Sequence, residues 1–188
     1  MSAPHVDDCL SRGSGEFSAL LLVNPKQVQL FRWLALGCAL ACADQASKWW
    51  VLAQLMPGER VVLIPGWFDL TLVFNRGAAF SFLADQSGWQ RWFFTLVSLA
   101  AAFVLPWMIT KTIDRPLSCA ALAFIWSGAI GNGLDRAIEG QVTDFFLFYR
   151  EAWHFYFPAF NIADSAITLG VVLLLLEEFM QWRKTARN

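Results

Sequence analysis

The stretch LSCAALAFIWSGAIGNGL, residues 117 to 134, decides the class of fold. It holds no charged side chain, and Asp135 and Arg136 follow directly on its end. A helix needs about 20 consecutive apolar residues to cross about 30 Å of hydrocarbon, so this stretch predicts a membrane span. Three other predominantly apolar stretches of similar length lie at about 31 to 53, 92 to 110 and 162 to 180. The expected fold is an all-α polytopic membrane protein with four transmembrane helices.

Composition supports that solvent. Of 188 residues 57% are hydrophobic and 15% charged, against roughly 25% charged in an ordinary soluble domain. The buried fraction rises only slowly with chain length, so a chain of this size cannot hide so much apolar surface and must turn it to lipid. Ten Trp and seventeen Phe fit a membrane boundary. The net charge of -1 gives no basic footprint for nucleic acid, which is not expected as a partner. The cysteines, Cys9, Cys38, Cys42 and Cys119, lack zinc-ligand spacing, so no metal is expected; Cys38 and Cys42 share a helix face and read as small packing residues.

Residues 1 to 29 read as a flexible extension, with Ser11 to Gly15 as its loosest part and no secretory cleavage pattern. The membrane domain is expected over 30 to 183 and a short tail over 184 to 188. Lys26 and Arg32 precede the first span, Lys111 and Arg115 sit between the second and third, and Arg183, Lys184 and Arg187 follow the fourth. Basic residues beside short segments mark the cytoplasmic side, so both termini are expected inside, and the loops at about 54 to 91 and 135 to 161 outside. In the first of these, Val61 to Ile64, a Pro65-Gly66 turn and the alternating run Trp67 to Phe74 predict a small sheet at the membrane surface.

Charged residues in or beside a span cost about 2.5 to 3.5 kcal/mol each on insertion scales and need a reason. Asp44 and Lys48 stand at i, i+4, acid first, which an intrahelical ion pair explains. Small residues around Gly77 and Gly131 suit close helix packing, and Asp135-Arg136 suits an interfacial pair. Asp164 opens the fourth span, where a helix cap is one explanation. Asp144 lies among Phe145, Phe146, Leu147 and Phe148 with no basic neighbour in sequence. If the loop folds back so that Asp144 meets Asp164, repulsion and a low dielectric leave one proton shared between them, as in aspartic proteases. Such a pair supplies both the base and the acid of peptide hydrolysis. Neither His5 nor His154 stands in a recognisable Ser or Cys nucleophile signature, and no phosphate-binding loop is present. A proton-coupled carrier would set its acids near the midplane of repeated spans, and a structural subunit leaves two unpaired aspartates unexplained.

Five blocks, Asp44-Gln45-x-Ser47-Lys48, Asn75-x-Gly77-Ala78-Ala79-Phe80, Gly128-Ala129-x-Gly131-Asn132-x-x-Asp135-Arg136, Val142-x-Asp144-Phe145 and Phe160-Asn161-x-Ala163-Asp164-Ser165, resemble in order and spacing the motifs of the lipoprotein signal peptidases, or signal peptidase II. Ser127 and Gly133 depart from that pattern, and residues 1 to 29 lie outside it. The resemblance implies that Asp144 and Asp164 are the catalytic pair. It implies that Asn75, Asn132, Arg136 and Asn161 line the substrate cleft, while Asp44, Lys48, Gly77, Asp135 and Ala163 support the fold. It also implies an inner-membrane enzyme without cofactor, acting among membrane lipid on signal peptides of prolipoproteins, which it cuts N-terminal to a diacylglyceryl-modified Cys; a monomer is expected.

Overall fold

A computed structural model describes residues 24 to 77 and 88 to 187. In chain order the elements are α1 (Pro25–Gln54), β1 (Arg60–Ile64), β2 (Phe68–Asn75), α2 (Trp89–Lys111), α3 (Pro116–Ile138), β3 (Val142–Arg150), a 3₁₀ turn at Glu151–Trp153, β4 (Phe155–Tyr156) and α4 (Ile162–Thr185). The protein is mostly helical, with the four strands in one antiparallel ribbon of order β1-β2-β3-β4.

Local chemistry sets the helix starts. Asn24 caps α1 by accepting from the Lys26 amide at 3.0 Å, and Pro25 occupies the first turn, where its missing N–H costs nothing. The helix therefore begins inside the stretch read from sequence as a flexible extension, which corrects that boundary for residues 25 to 29. Residues 1 to 23, with Cys9 and His5, and residues 78 to 80 of the second motif block lie outside the described residues. Pro116 starts α3 in the same way.

The central helix is α3, packed against the other three. Close approach depends on small residues: a Cβ on Gly128 would collide with the Ala163 carbonyl, and one on Gly131 would lie 2.5 Å from the Asp44 carboxylate. The buried stripe of α1 is Gly37, Ala41, Asp44, Lys48 and Val51. Cys38 and Cys42 fall beside that stripe and are exposed, so they do not pack the interior as expected; Cys119 is buried. Among the described residues α2 and α3 are each long and apolar enough to cross a bilayer. The α2 surface is studded with exposed Trp92, Phe93, Leu96, Phe103 and Trp107, which water would not favour.

Two apolar clusters fix the ends. At one, Ile109, Ile113, Cys119 and Leu122 pack with Trp33 and Leu34. At the other, Val51, Leu72 and Phe145 join the sheet to the bundle, with Ile162 packed beside them. The β1 and β2 strands fall where alternation placed them, joined by a turn in which Gly66 has φ +77. Residues 142 to 150, expected within an outer loop, are not irregular. They form the nine-residue strand β3, paired to β2 with Val73 opposite Asp144 and Asn75 opposite Val142.

A bridged carboxylate pair as candidate active site

Strand β3 does more than extend the sheet. Phe146 bridges to Phe160: the amides of Phe145 and Phe146 both donate to the Phe160 carbonyl, and the Phe160 amide donates back to Phe146 at 3.0 Å. This clasp lays Asp144 beside Asn161, the cap of α4, and so beside Asp164 one turn further on.

Asn161 joins the two carboxyl groups. Its Nδ2 donates to Asp144 Oδ1 at 2.7 Å, its Oδ1 accepts from the Asp164 amide at 2.9 Å, and its own amide donates to Asp164 Oδ2 at 3.3 Å. The last two bonds form a capping box, so Asp164 is both a helix cap and a neighbour of Asp144. Asn132 of α3 donates to Asp164 Oδ1 at 2.7 Å. On the sheet side Asn75 donates to Asp144 Oδ2 at 3.1 Å, and its Oδ1 accepts from the amide of Gly77, which has φ +98. Each aspartate thus receives an amide hydrogen from at least one asparagine, and Asn161 is fully buried.

Behind the asparagines lies a charge cluster. The Lys48 ammonium, 1% exposed, contacts Asp44 at 2.7 Å, Asp135 at 2.8 Å and Asn132 Oδ1 at 3.0 Å, which uses all three of its donors. Asp44 also accepts from the Ala163 amide at 2.8 Å and so grips the start of α4. Asp135 accepts from Gln45 at 2.7 Å and from the Thr143 amide at 3.3 Å, gripping the start of β3. The cluster holds the two segments that carry the catalytic candidates.

Burial, and next the nearby Asp164 charge, push Asp144 from its ordinary 3.8 to about 7, against smaller opposing pulls from Asn75, Lys48 and Asn161. Near neutral pH it is therefore poised between acid and carboxylate. Arg136 stands close by, its guanidinium 5.0 Å over the Phe94 ring, with one contact at 3.4 Å to the Asn132 carbonyl and a buried Nε that has no partner.

Every site residue named from sequence in the described region falls in or against this cluster. Asn132 and Asn161, expected along a substrate cleft, are buried joints that hold the carboxylates; Asn75 and Arg136 are the more open pair. Gln45 and Thr143 carry bonds that no sequence signal assigned to them. The Lys48 to Asp135 contact likewise spans two helices, beyond the reach of any local pattern. Among the described residues no group of three His, Cys, Asp or Glu comes together in the way a metal site requires.

Comparisons with known proteins converge on one family. Residues 36–180 match the family model described as signal peptidase (SPase) II. The lipoprotein signal peptidase of Neisseria meningitidis serogroup C, serotype 2a, is 48% identical over 154 residues, covering 82% of this chain and 92% of that protein. The lipoprotein signal peptidase of Azoarcus sp. strain BH72 is 50% identical over 154 residues, covering 81% and 85%. A bacterial membrane enzyme solved by the in meso method at 2.3 Å resolution superposes with a TM-score of 0.69 at 27% identity, over 79% of this chain and 88% of the other.

Proposed function

The chain belongs to the signal peptidase II family, a family of membrane peptidases that remove signal peptides from lipoprotein precursors, and from that premise we propose that Asp144 and Asp164 carry out the hydrolysis as one aspartyl dyad. The observation that carries this reading is the position of Asn161, itself fully buried and hydrogen-bonded to both carboxyl groups, with Asp144 buried beside it.

Asp144, held near 7 by burial, enters as the acid, and Asp164 as the base. Asp164 takes a proton from water while the water oxygen bonds to the scissile carbonyl carbon, and Asp144 gives its proton to the carbonyl oxygen. The tetrahedral diol then collapses: the C–N bond breaks, Asp164 passes its proton to the leaving nitrogen, and a diol hydroxyl returns one to Asp144. The pair ends as it began. Asn132, Asn161 and Asn75 keep the carboxyl groups oriented through both halves, and Arg136 faces the peptide.

The substrate reading follows the family: a precursor whose cleavage-site Cys carries a diacylglyceryl group, cut on the N-terminal side of that Cys. All four helices span the inner membrane, with the termini cytoplasmic and the carboxyl pair at the outer face. α1, of 30 residues, and α4, of 24, are long enough to cross. The sheet then rests on the outer leaflet, where exposed Val62, Ile64, Trp67 and Trp153 meet lipid. One protomer holds the whole dyad and works as a monomer.

The decisive experiment compares Asp144→Asn and Asp164→Asn with the parent on a lipidated precursor, read as a gel shift. Each keeps the shape and removes an acid or base function, so each should abolish cleavage while the protein still inserts and folds. Near-normal turnover by either variant would end the dyad reading.

A further inference from the structure

A cavity of about 620 Å³ lies at the end of the bundle away from the carboxyl pair. The apolar part of its wall is made of Trp33 and Leu36 on α1 with Ile113 and Pro116 at the turn between α2 and α3. Gln29 and Arg32 stand on the helix face that borders it. Arg32 and Asp44 are separated by about 18 Å along α1, at 1.5 Å rise per residue, so this space is remote from the hydrolytic site.

Its charge is unbalanced. Asp114, the acid in the wall, already faces Lys26 at 3.7 Å, and the neighbouring Arg115 faces Glu178 at 3.6 Å. The exposed Arg32 guanidinium makes no ion pair or hydrogen bond among the described residues. An apolar pocket with one unpaired guanidinium at its edge, at the level where a span leaves the bilayer, matches a molecule with an anionic head and hydrocarbon tails. A guanidinium can hold two phosphate oxygens at once, Trp33 is of the type that settles at the headgroup level, and Leu36, one turn further along α1, continues the wall toward the acyl region. Basic pockets between spans on the cytoplasmic side suit anionic headgroups.

We propose that this cavity is a binding site for an anionic phospholipid of the cytoplasmic leaflet, held by Arg32 and Gln29 at the phosphate and by Trp33, Leu36 and Ile113 along the chains. The leaflet rests on the orientation given under the proposed function; the binding chemistry does not.

The test uses the purified full chain in detergent, titrated with phosphatidylglycerol or with phosphatidylcholine of the same acyl chains, and reads bound lipid by native mass spectrometry. The parent should hold phosphatidylglycerol preferentially, and Arg32→Gln should weaken it about five-fold, the equivalent of about 1 kcal/mol for one basic residue at a lipid surface. Arg187→Gln, a basic residue of the same end but outside the cavity, should leave it unchanged. Signal-peptide cleavage by Arg32→Gln should persist, so loss of lipid with retained turnover separates this site from the dyad. Equal binding of the two lipids, equal binding by Arg32→Gln and the parent, or equal losses for both variants would overturn the proposal. A wrong orientation would show instead in the topology of the tail and would leave these ratios as they are.

Discussion

The buried ammonium of Lys48 donates to the side-chain oxygen of Asn132 at 3.0 Å, and Asn132 in turn donates to Asp164 at 2.7 Å. A positive charge therefore stands two hydrogen bonds, and one residue, behind the carboxylate proposed as base, and the same lysine balances Asp44 and Asp135. Lys48→Met should leave two buried acids without a counter-charge, and breaking such a buried cluster costs about 3 to 5 kcal/mol. Thermal unfolding in detergent checks this, and a variant as stable as the parent would show that the cluster is not what holds the fold at this point.

A second expectation concerns pH. The folded value of Asp144, about 7, lies above its ordinary 3.8, so the fold binds this proton more tightly than the unfolded chain does. The resulting stability is fully present below the unfolded value and is lost as pH rises through about 7, with a slope of at most about 1.4 kcal/mol per pH unit. Asp144→Asn should remove that slope between pH 4 and 7. Cleavage should also fall as pH rises above about 7, where the acid form of Asp144 disappears. A flat alkaline limb in the pH profile of kcat/KM would contradict the assignment.

Lipid on the substrate should matter more than its peptide sequence. Acyl chains add about 0.8 kcal/mol of membrane affinity per buried CH₂, which fixes the scissile bond at the interface before enzyme and substrate meet. Orientation gained in this way is a large part of a hydrolase's rate advantage. The same precursor with and without its diacylglyceryl group, compared in one detergent at one enzyme concentration, should differ strongly in cleavage rate. Equal rates would indicate a general membrane protease.

Topology is the fourth. The basic residues Lys26, Arg32, Lys111, Arg115, Arg183 and Lys184 all fall at one end of the helices. A reporter fused after Arg183 should read as cytoplasmic, and one inserted between β1 and β2 as external. The opposite result at either place would revise the number of spans.

Much of this was legible in one dimension because the physics involved is local. Asp44 and Lys48 sit one helical turn apart, and the structure shows them bonded. Asp164 stands where both a cap and a catalytic group would stand, and it makes the capping box. The β1 and β2 strands alternate and were visible. The β3 strand was not, because Val142 through Phe145 are all buried, so the run has no exposed alternate residue to betray a period of two. The beginning of α1 was obscured by Lys26 and Arg32, which interrupt the apolar pattern, although Asn24-Pro25 is a start signal. What no pattern could supply is partnership across helices: Lys48 with Asn132 and Asp135, or Asn161 with Asp144.

The clasp between Phe146 and Phe160 has a consequence for how the protein comes to be. With the outer loops outside, as proposed above, Asp144 crosses the membrane before α4 is made, and it gains its contact with Asn161 only once Phe160 and Asn161 have emerged. During that interval the proposed pair is half-built. A nascent chain that stalls before its last helix thus carries Asp144 alone, and on this reading the addition of α4 completes the fold and the pair together.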